Sequence, residues 1–217
     1  ASVGVRVRAV AVYEHSTRVR NKASAMASER RTACFAFGSN SVIQVRERCK
    51  NELLDAVAAV LPGYKRIFCG RSEKWADPDG KTGGVASIVQ SAAGRCLGSI
   101  VFLSDDEFSL LDRHEGIPEG VDPFCSEFTR CRYRREWVDV ELPGKAGAGV
   151  DAADVHSERV RAIAYIRNQS TWEGVPSDRY LHACYRNLEF FWPDLDGGGA
   201  IDIFDESGVQ HGPWRPE

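Results

Sequence analysis

The 217-residue chain carries 28 Lys and Arg against 31 Asp and Glu, a formal charge of −3, so no global field marks it for nucleic acid or a membrane surface. No apolar run approaches the ~20 residues a spanning helix requires, and a soluble, cytoplasmic protein with one core-forming domain is expected. Seven scattered cysteines, without C-x-x-C or finger spacing, favour a reducing compartment and argue against a structural metal.

Residues 1–25 are rich in arginine and hold one acid, Glu14. They read as an organelle-targeting segment or as translated upstream sequence, with Met26 a natural start. Exclusion of residues 1–31 from the fold is favoured; the alternative is an extra edge strand over 5–13, where Val5, Val7, Ala9 and Ala11 alternate with Arg6 and Arg8. The division expected is an N-terminal extension over 1–31, a folded domain over 32–195 and a C-terminal tail over 196–217.

The first core strand is expected near 33–37, where the apolar run Cys34-Phe35-Ala36-Phe37 stops abruptly in Gly38-Ser39-Asn40. Such a loop presents backbone amides: Gly38 permits a sharp turn and close approach, and Ser39 and Asn40 are capping residues, so free N–H groups would face a ligand's negative charge. Strand–Gly–polar turns also serve chain reversal alone. Asn51 reads as the cap of a helix through Val60, with Leu53, Leu54, Val57 and Val60 as its stripe and Pro62-Gly63 as its stop.

Further strands are expected near 64–69, 84–90, 96–103, 124–133, 136–142 and 159–166, with an exposed Gly/Ala/Asp loop over 143–157. Strands outnumber helices, which indicates a β-rich α+β domain closing into a small mixed β-barrel with peripheral helices. Ser177 caps a helix to about Phe191, stopped by Pro193. The sharpest local signal is Ser104-Asp105-Asp106-Glu107, a capping box with Leu103 and Phe108 at the staple positions and Gly116 as the stop.

That register places Glu115 on the stripe of Phe108 and Leu111, at the negative end of the helix dipole and partly out of water, where both effects favour its neutral form. An inward carboxylate at a helix end is a candidate acid or base; the alternative is that it frays outward beside Gly116.

Four segments, Cys34-Phe35-Ala36-Phe37-Gly38-Ser39-Asn40, Gly83-Gly84-Val85-Ala86, Leu111-Asp112-Arg113-His114-Glu115-Gly116 and Pro176-Ser177-Asp178-Arg179-Tyr180, resemble in order and spacing the γ-glutamylcyclotransferase family, a group within the AIG2-like superfamily. The resemblance spans residues 33 to about 195. It implies a cavity between the loop and the glutamate, a small-molecule γ-glutamyl substrate, no cofactor and a homodimer. It further implies that Glu115 is the general acid/base, that Cys34, Phe35, Ala36, Phe37, Gly38, Ser39 and Asn40 hold the glutamyl portion, and that Tyr165 contacts substrate. The reaction implied converts a γ-glutamyl amino acid to 5-oxoproline and a free amino acid. A γ-glutamylamine substrate and a non-catalytic, ligand-binding member of the fold remain alternatives.

Two positions depart from the pattern: Phe37 stands where the family has tyrosine before Gly-Ser-Asn, and Phe124 is aligned with a second family tyrosine. Other chemistry is less favoured. Ser39 lacks the Gly-x-Ser-x-Gly nucleophile elbow, the five histidines form no helical pair for metal, and Arg130, Arg132, Arg134 and Arg135 around Tyr133 and Trp137 read as a solvated strand face.

Overall fold

A computed structural model describes residues 31–127, 129–143, 158–168 and 174–192. The extension expected over 1–31 (Arg31 apart), the edge strand over 5–13, nearly all of the 143–157 loop and the tail over 196–217 lie outside the described residues.

Five strands close into a barrel in the order β1-β3-β2-β4-β5: β1 (Thr32–Ala36), β2 (Ala56–Cys69), β3 (Val85–Leu103), β4 (Tyr133–Leu142) and β5 (Glu158–Arg167). All pairings are antiparallel except β1 with β5, which run parallel with Cys34 opposite Ile163, so the barrel is mixed, as the sequence leads one to expect. Alternation along the strands sorts side chains into two cores. Ala33, Phe35, Phe37, Ala162, Ala164 and Ile166 fill the barrel, together with residues of β2, β3 and the last helix. Cys34, Val101, Leu103, Ile163 and Tyr165 point outward and pack under the first two helices through Val45, Phe108 and Leu111.

The helices are α1 (Val42–Cys49), α2 (Asp105–Glu115) and α3 (Asp178–Phe191). The capping box of α2 forms as expected: the Ser104 hydroxyl accepts from Glu107 N at 3.3 Å, and the Glu107 carboxylate accepts from Ser104 N at 2.8 Å. Gly116 ends the helix in the left-handed region at φ 75°. Ser177 caps α3 by accepting from Tyr180 N.

Three expectations fail for identifiable reasons. Residues 51–60 are not a helix. The helix lies earlier, capped by Ser41, and Ala56–Val60 belong to β2, held by pairing with residues 97–101 of β3. Pro62-Gly63, read as a helix stop, marks a register shift in the β2–β3 ladder, with Gly63 at φ 76°. The strands expected at 84–90 and 96–103 are one strand, because β3 follows β2 along its whole length. Residues 124–127 and 129–132 are turns and coil, and β4 begins only at Tyr133.

Candidate active site

Three of the family-like segments meet around the Gly38-Ser39-Asn40 loop. In the second segment the amides of Gly83 and Gly84 both donate to the Val175 carbonyl at 2.9 Å. A Cβ on Gly84 would run into the Gly174 carbonyl, so glycine there lets the chain entering α3 lie against β3. That docking delivers Tyr180, whose hydroxyl accepts from Ala86 N at 2.8 Å and stands 3.3 Å from where a Cβ on Gly38 would be. Gly38 has no positive φ; its need for glycine comes from this close approach and not from a turn.

The loop is fixed through its carbonyls. Arg66 Nε donates to the Phe37 carbonyl at 2.8 Å, and Asn187 Nδ2 donates to those of Gly38 and Asn40 at 3.1 and 3.2 Å. The amides of Gly38, Ser39 and Asn40 donate to no group among the described residues. With carbonyls tied back and amides unspent, the loop has the polarity of an anion cradle. Ser39 adjoins the Tyr180 hydroxyl and not a base, which removes the support for a serine nucleophile.

Glu115, last residue of α2, reaches this loop across 75 positions of sequence. Its Oε1 accepts from Asn40 Nδ2 at 3.1 Å and from Arg48 Nη1 at 2.8 Å, and Arg48 also donates to Asn40 Oδ1 at 3.2 Å. The Glu115 and Arg48 side chains retain 11% and 18% exposure, so the carboxylate does not fray into solvent. Sequence reasoning left Arg48 out: a charge partner from α1 stands where the helix-end argument supposed none. The second oxygen, Oε2, has no hydrogen-bond partner among the described residues, and Glu115 borders the pocket.

Helix α2 is held at its last turn by the aspartate of the same segment. Asp112 accepts from Arg135 Nε and Nη2 at 3.0 and 2.7 Å and from the Tyr165 hydroxyl at 2.7 Å. Arg135 lies over the Phe108 ring, 4.6 Å from its centroid. Burial, then the neighbouring Cys34 and Asp112, push the Tyr165 phenol well up, so it is a neutral donor. The Arg135 guanidinium is raised despite burial, because Asp112 and Tyr165 favour its charged form.

These groups line a pocket of about 270 Å³ that includes Cys34 to Asn40, Glu115, Tyr165 and Tyr180, so the expected catalytic residue and the expected substrate-contacting residues border one cavity. Phe37 contributes from the barrel core, 6% exposed and 6.0 Å ring to ring from Phe35. Phe124 does not border it; it is exposed and stacks on Trp137 at 6.3 Å. A hydroxyl does enter from elsewhere, on Tyr133 at the start of β4. Burial first and the Glu115 carboxylate second push the Tyr133 phenol up to about 12. Arg48, Arg66, Tyr133, Arg167 and Asn187 were missed as site residues, because no local pattern couples them to the loop.

The basic strand cluster disperses into specific partners: Arg134 on Glu136 at 2.6 Å, Arg135 on Asp112, and Arg132 at the pocket. Among the described residues no group of His, Cys, Asp and Glu could hold a metal ion, and no helix is long and apolar enough to cross a membrane.

No family model and no curated protein matches this chain. Solved structures do. A protein titled gamma-glutamyl cyclotransferase superposes with a TM-score of 0.58 at 17% identity, over 87% of this chain and 93% of its own. An uncharacterized protein from Homo sapiens gives 0.57 at 18%, over 87% and 94%. A gamma-glutamyl cyclotransferase specific to glutathione, from yeast, gives 0.50 at 11%, over 82% and 96%. With the barrel closed in the expected way and these likenesses spanning most of both chains, the protein has the γ-glutamyl cyclotransferase-like fold.

Proposed function

We propose that the protein is a γ-glutamylcyclotransferase that converts a γ-glutamyl amino acid to 5-oxoproline and a free amino acid. The observation that carries this reading is the junction of Glu115 with the Gly38-Ser39-Asn40 loop: an anchored carboxylate with one unpartnered oxygen beside three uncommitted amides in one pocket.

A γ-glutamyl amide contains its own nucleophile. The α-amine nitrogen attacks the γ-carbonyl carbon, a five-membered lactam closes, and the bond to the leaving nitrogen breaks. Electrons balance without a redox partner. Holding the substrate folded supplies much of the advantage, since oriented intramolecular attack is worth on the order of 7–11 kcal/mol. One proton must leave the attacking amine and one must reach the departing nitrogen. Glu115 Oε2 performs both transfers in turn, a role that contributes ~100- to 10,000-fold. Oε1 stays tethered to Arg48 and Asn40, which keeps the acceptor aimed while the proton moves. The amides of the loop receive the oxygen of the carbonyl as it gains negative charge. Tyr165 borders the pocket with its hydroxyl committed to Asp112, so it acts on substrate through its ring and through the placement of α2.

In this reading the enzyme needs no added cofactor, works in the cytoplasm and assembles as a homodimer, the last checked by light scattering of the full chain. The activity is checked by incubating the chain with γ-glutamyl-alanine and measuring 5-oxoproline and alanine together. The reading requires them in equal amounts; free glutamate in place of 5-oxoproline would mean hydrolysis.

A further inference from the structure

Among the described residues two arginines are buried, Arg66 and Arg167, and two that border or support the site, Arg48 and Arg135, are partly buried; three of the four are tied to carbonyl or carboxylate acceptors. Arg66 is 1% exposed and spends its guanidinium on the carbonyls of Phe37 and Leu97. Arg48 and Arg135 are paired with Glu115 and Asp112. Arg167, last residue of β5, is 5% exposed and pairs with no carboxylate among the described residues. Its Nε is buried without a hydrogen-bond partner, and among the described residues its side chain makes one long bond, Nη1 to the Tyr133 hydroxyl at 3.4 Å. The guanidinium otherwise lies over the Tyr133 ring, 5.4 Å from the centroid.

Leaving a buried cation unpaired is costly, and this chain arranges space for it. Gly70, at φ 61°, is placed so that any Cβ would run into the Arg167 guanidinium. Strand alternation explains the aim. Ile163, Tyr165 and Arg167 share the outward face of β5; the first two pack beneath α2, and the third emerges beyond them, where α2 ends in Glu115. Arg167 therefore borders the same pocket as Glu115 and the loop. The described ionisable lining is lopsided: Arg48, Arg71, Lys74, Arg132 and Arg167 against the single carboxylate Glu115, beside His114.

We propose that Arg167 is the counter-ion for a carboxylate of the ligand, which makes it a specificity-determining residue of the site. The inference rests on the cyclotransferase reading for the identity of that ligand, but not for its charge. A γ-glutamyl amino acid offers two such groups, the α-carboxylate of the glutamyl part and the carboxylate of the departing amino acid. A planar guanidinium with unspent donors suits either, by paired N–H···O bonds.

The test uses the full chain with γ-glutamyl-alanine and with γ-glutamyl-alanine amide, which lacks the leaving-side carboxylate, and compares wild type with Arg167→Gln and Arg167→Lys. Calorimetric titration with glutarate runs in parallel, as a binding readout independent of turnover. Arg167→Gln should raise KM for γ-glutamyl-alanine at least tenfold with kcat changed less than threefold, and Arg167→Lys should recover part of the loss. A loss that persists on the amide assigns the contact to the glutamyl carboxylate; a loss confined to the acid assigns it to the departing amino acid. Glutarate affinity should fall at least tenfold in Arg167→Gln, with Tm unchanged or higher because an unpaired charge has gone. KM and glutarate affinity within twofold of wild type, or a fall in Tm as the sole effect, would overturn the proposal. Absence of wild-type turnover with glutarate binding intact and dependent on Arg167 removes the cyclotransferase reading and keeps the counter-ion. A wild-type chain that does neither overturns both.

Discussion

Replacing Asp112 with alanine tests how α2 is held. Asp112 and Arg135 retain 15% and 13% side-chain exposure, and the aspartate accepts two bonds from Arg135 and one from Tyr165. Asp112→Ala strands a largely buried guanidinium and a buried phenol. Breaking a buried pair from one side costs about 3–5 kcal/mol, and the residual exposure here puts the expectation near the lower end, about 3 kcal/mol. Against a total of about 5–15 kcal/mol for a typical domain this is a large fraction. At ~2–4 °C per kcal/mol for a chain of this size, Tm should drop by about 6–12 °C. Urea titration followed by circular dichroism measures the loss, and the Asp112→Ala/Arg135→Met double variant identifies its source. Removing the stranded charge should return part of it, a coupling of ~0.5–3 kcal/mol. A loss below about 1 kcal/mol for Asp112→Ala, or strict additivity in the double variant, would refute the clamp.

Gly38→Ala should be worse for activity than for stability. The new Cβ meets Ala86 Cβ at 3.2 Å and the Tyr180 hydroxyl at 3.3 Å, so the loop must shift by a few tenths of an ångström, costing about 1–3 kcal/mol. If the same loop aims the substrate as proposed, kcat/KM should fall at least tenfold, and full activity would contradict the cradle. Alkaline pH should unfold the protein earlier than its neutral stability suggests. Burial raises the thiols and phenols of the core: Cys49 to about 11 from an ordinary 9.0, Cys184 to about 12 from 9.0, and Tyr133 to about 12 from 10.0. The folded chain thus holds protons that the unfolded chain has released, so this contribution is complete below pH 9 and is lost as pH climbs through 9 to 12. Urea midpoints at pH 8, 9.5 and 11 should decrease in that order, and a flat profile would refute it.

What was legible beforehand was what short segments encode by themselves. The capping box at Ser104, the cap at Ser177 and the strict alternation of β5 each fall within one element, so α2, α3 and β5 were placed nearly to the residue. The helical reading of 51–60 fails because Leu53, Leu54, Val57 and Val60 also satisfy a helical period, and only the ladder to β3, which pairs Ala56 with Val101 and Val60 with Leu97, decides between the two. The same distinction runs through the site. Glu115 and the Gly38 loop announced themselves by local oddity, a carboxylate at the wrong helix end and a strand cut short. The parts that make them one site, Arg48, Asn187, Arg66, Tyr133 and Arg167, are ordinary residues of ordinary helices and strands until the barrel closes. Phe124 shows the converse: it stands for a second family tyrosine by its position in the chain, while the turn at Pro123-Phe124 puts it on the surface against Trp137.

The most direct measurement is 5-oxoproline release from a panel of γ-glutamyl amino acids and γ-glutamylamines by wild type and by Glu115→Gln, with Tm recorded for both. Wild type should turn over at least one γ-glutamyl amino acid. In Glu115→Gln that rate should fall ~100- to 10,000-fold while the fold is retained. No wild-type turnover across the panel, or undiminished turnover in a folded Glu115→Gln, would contradict the cyclotransferase reading.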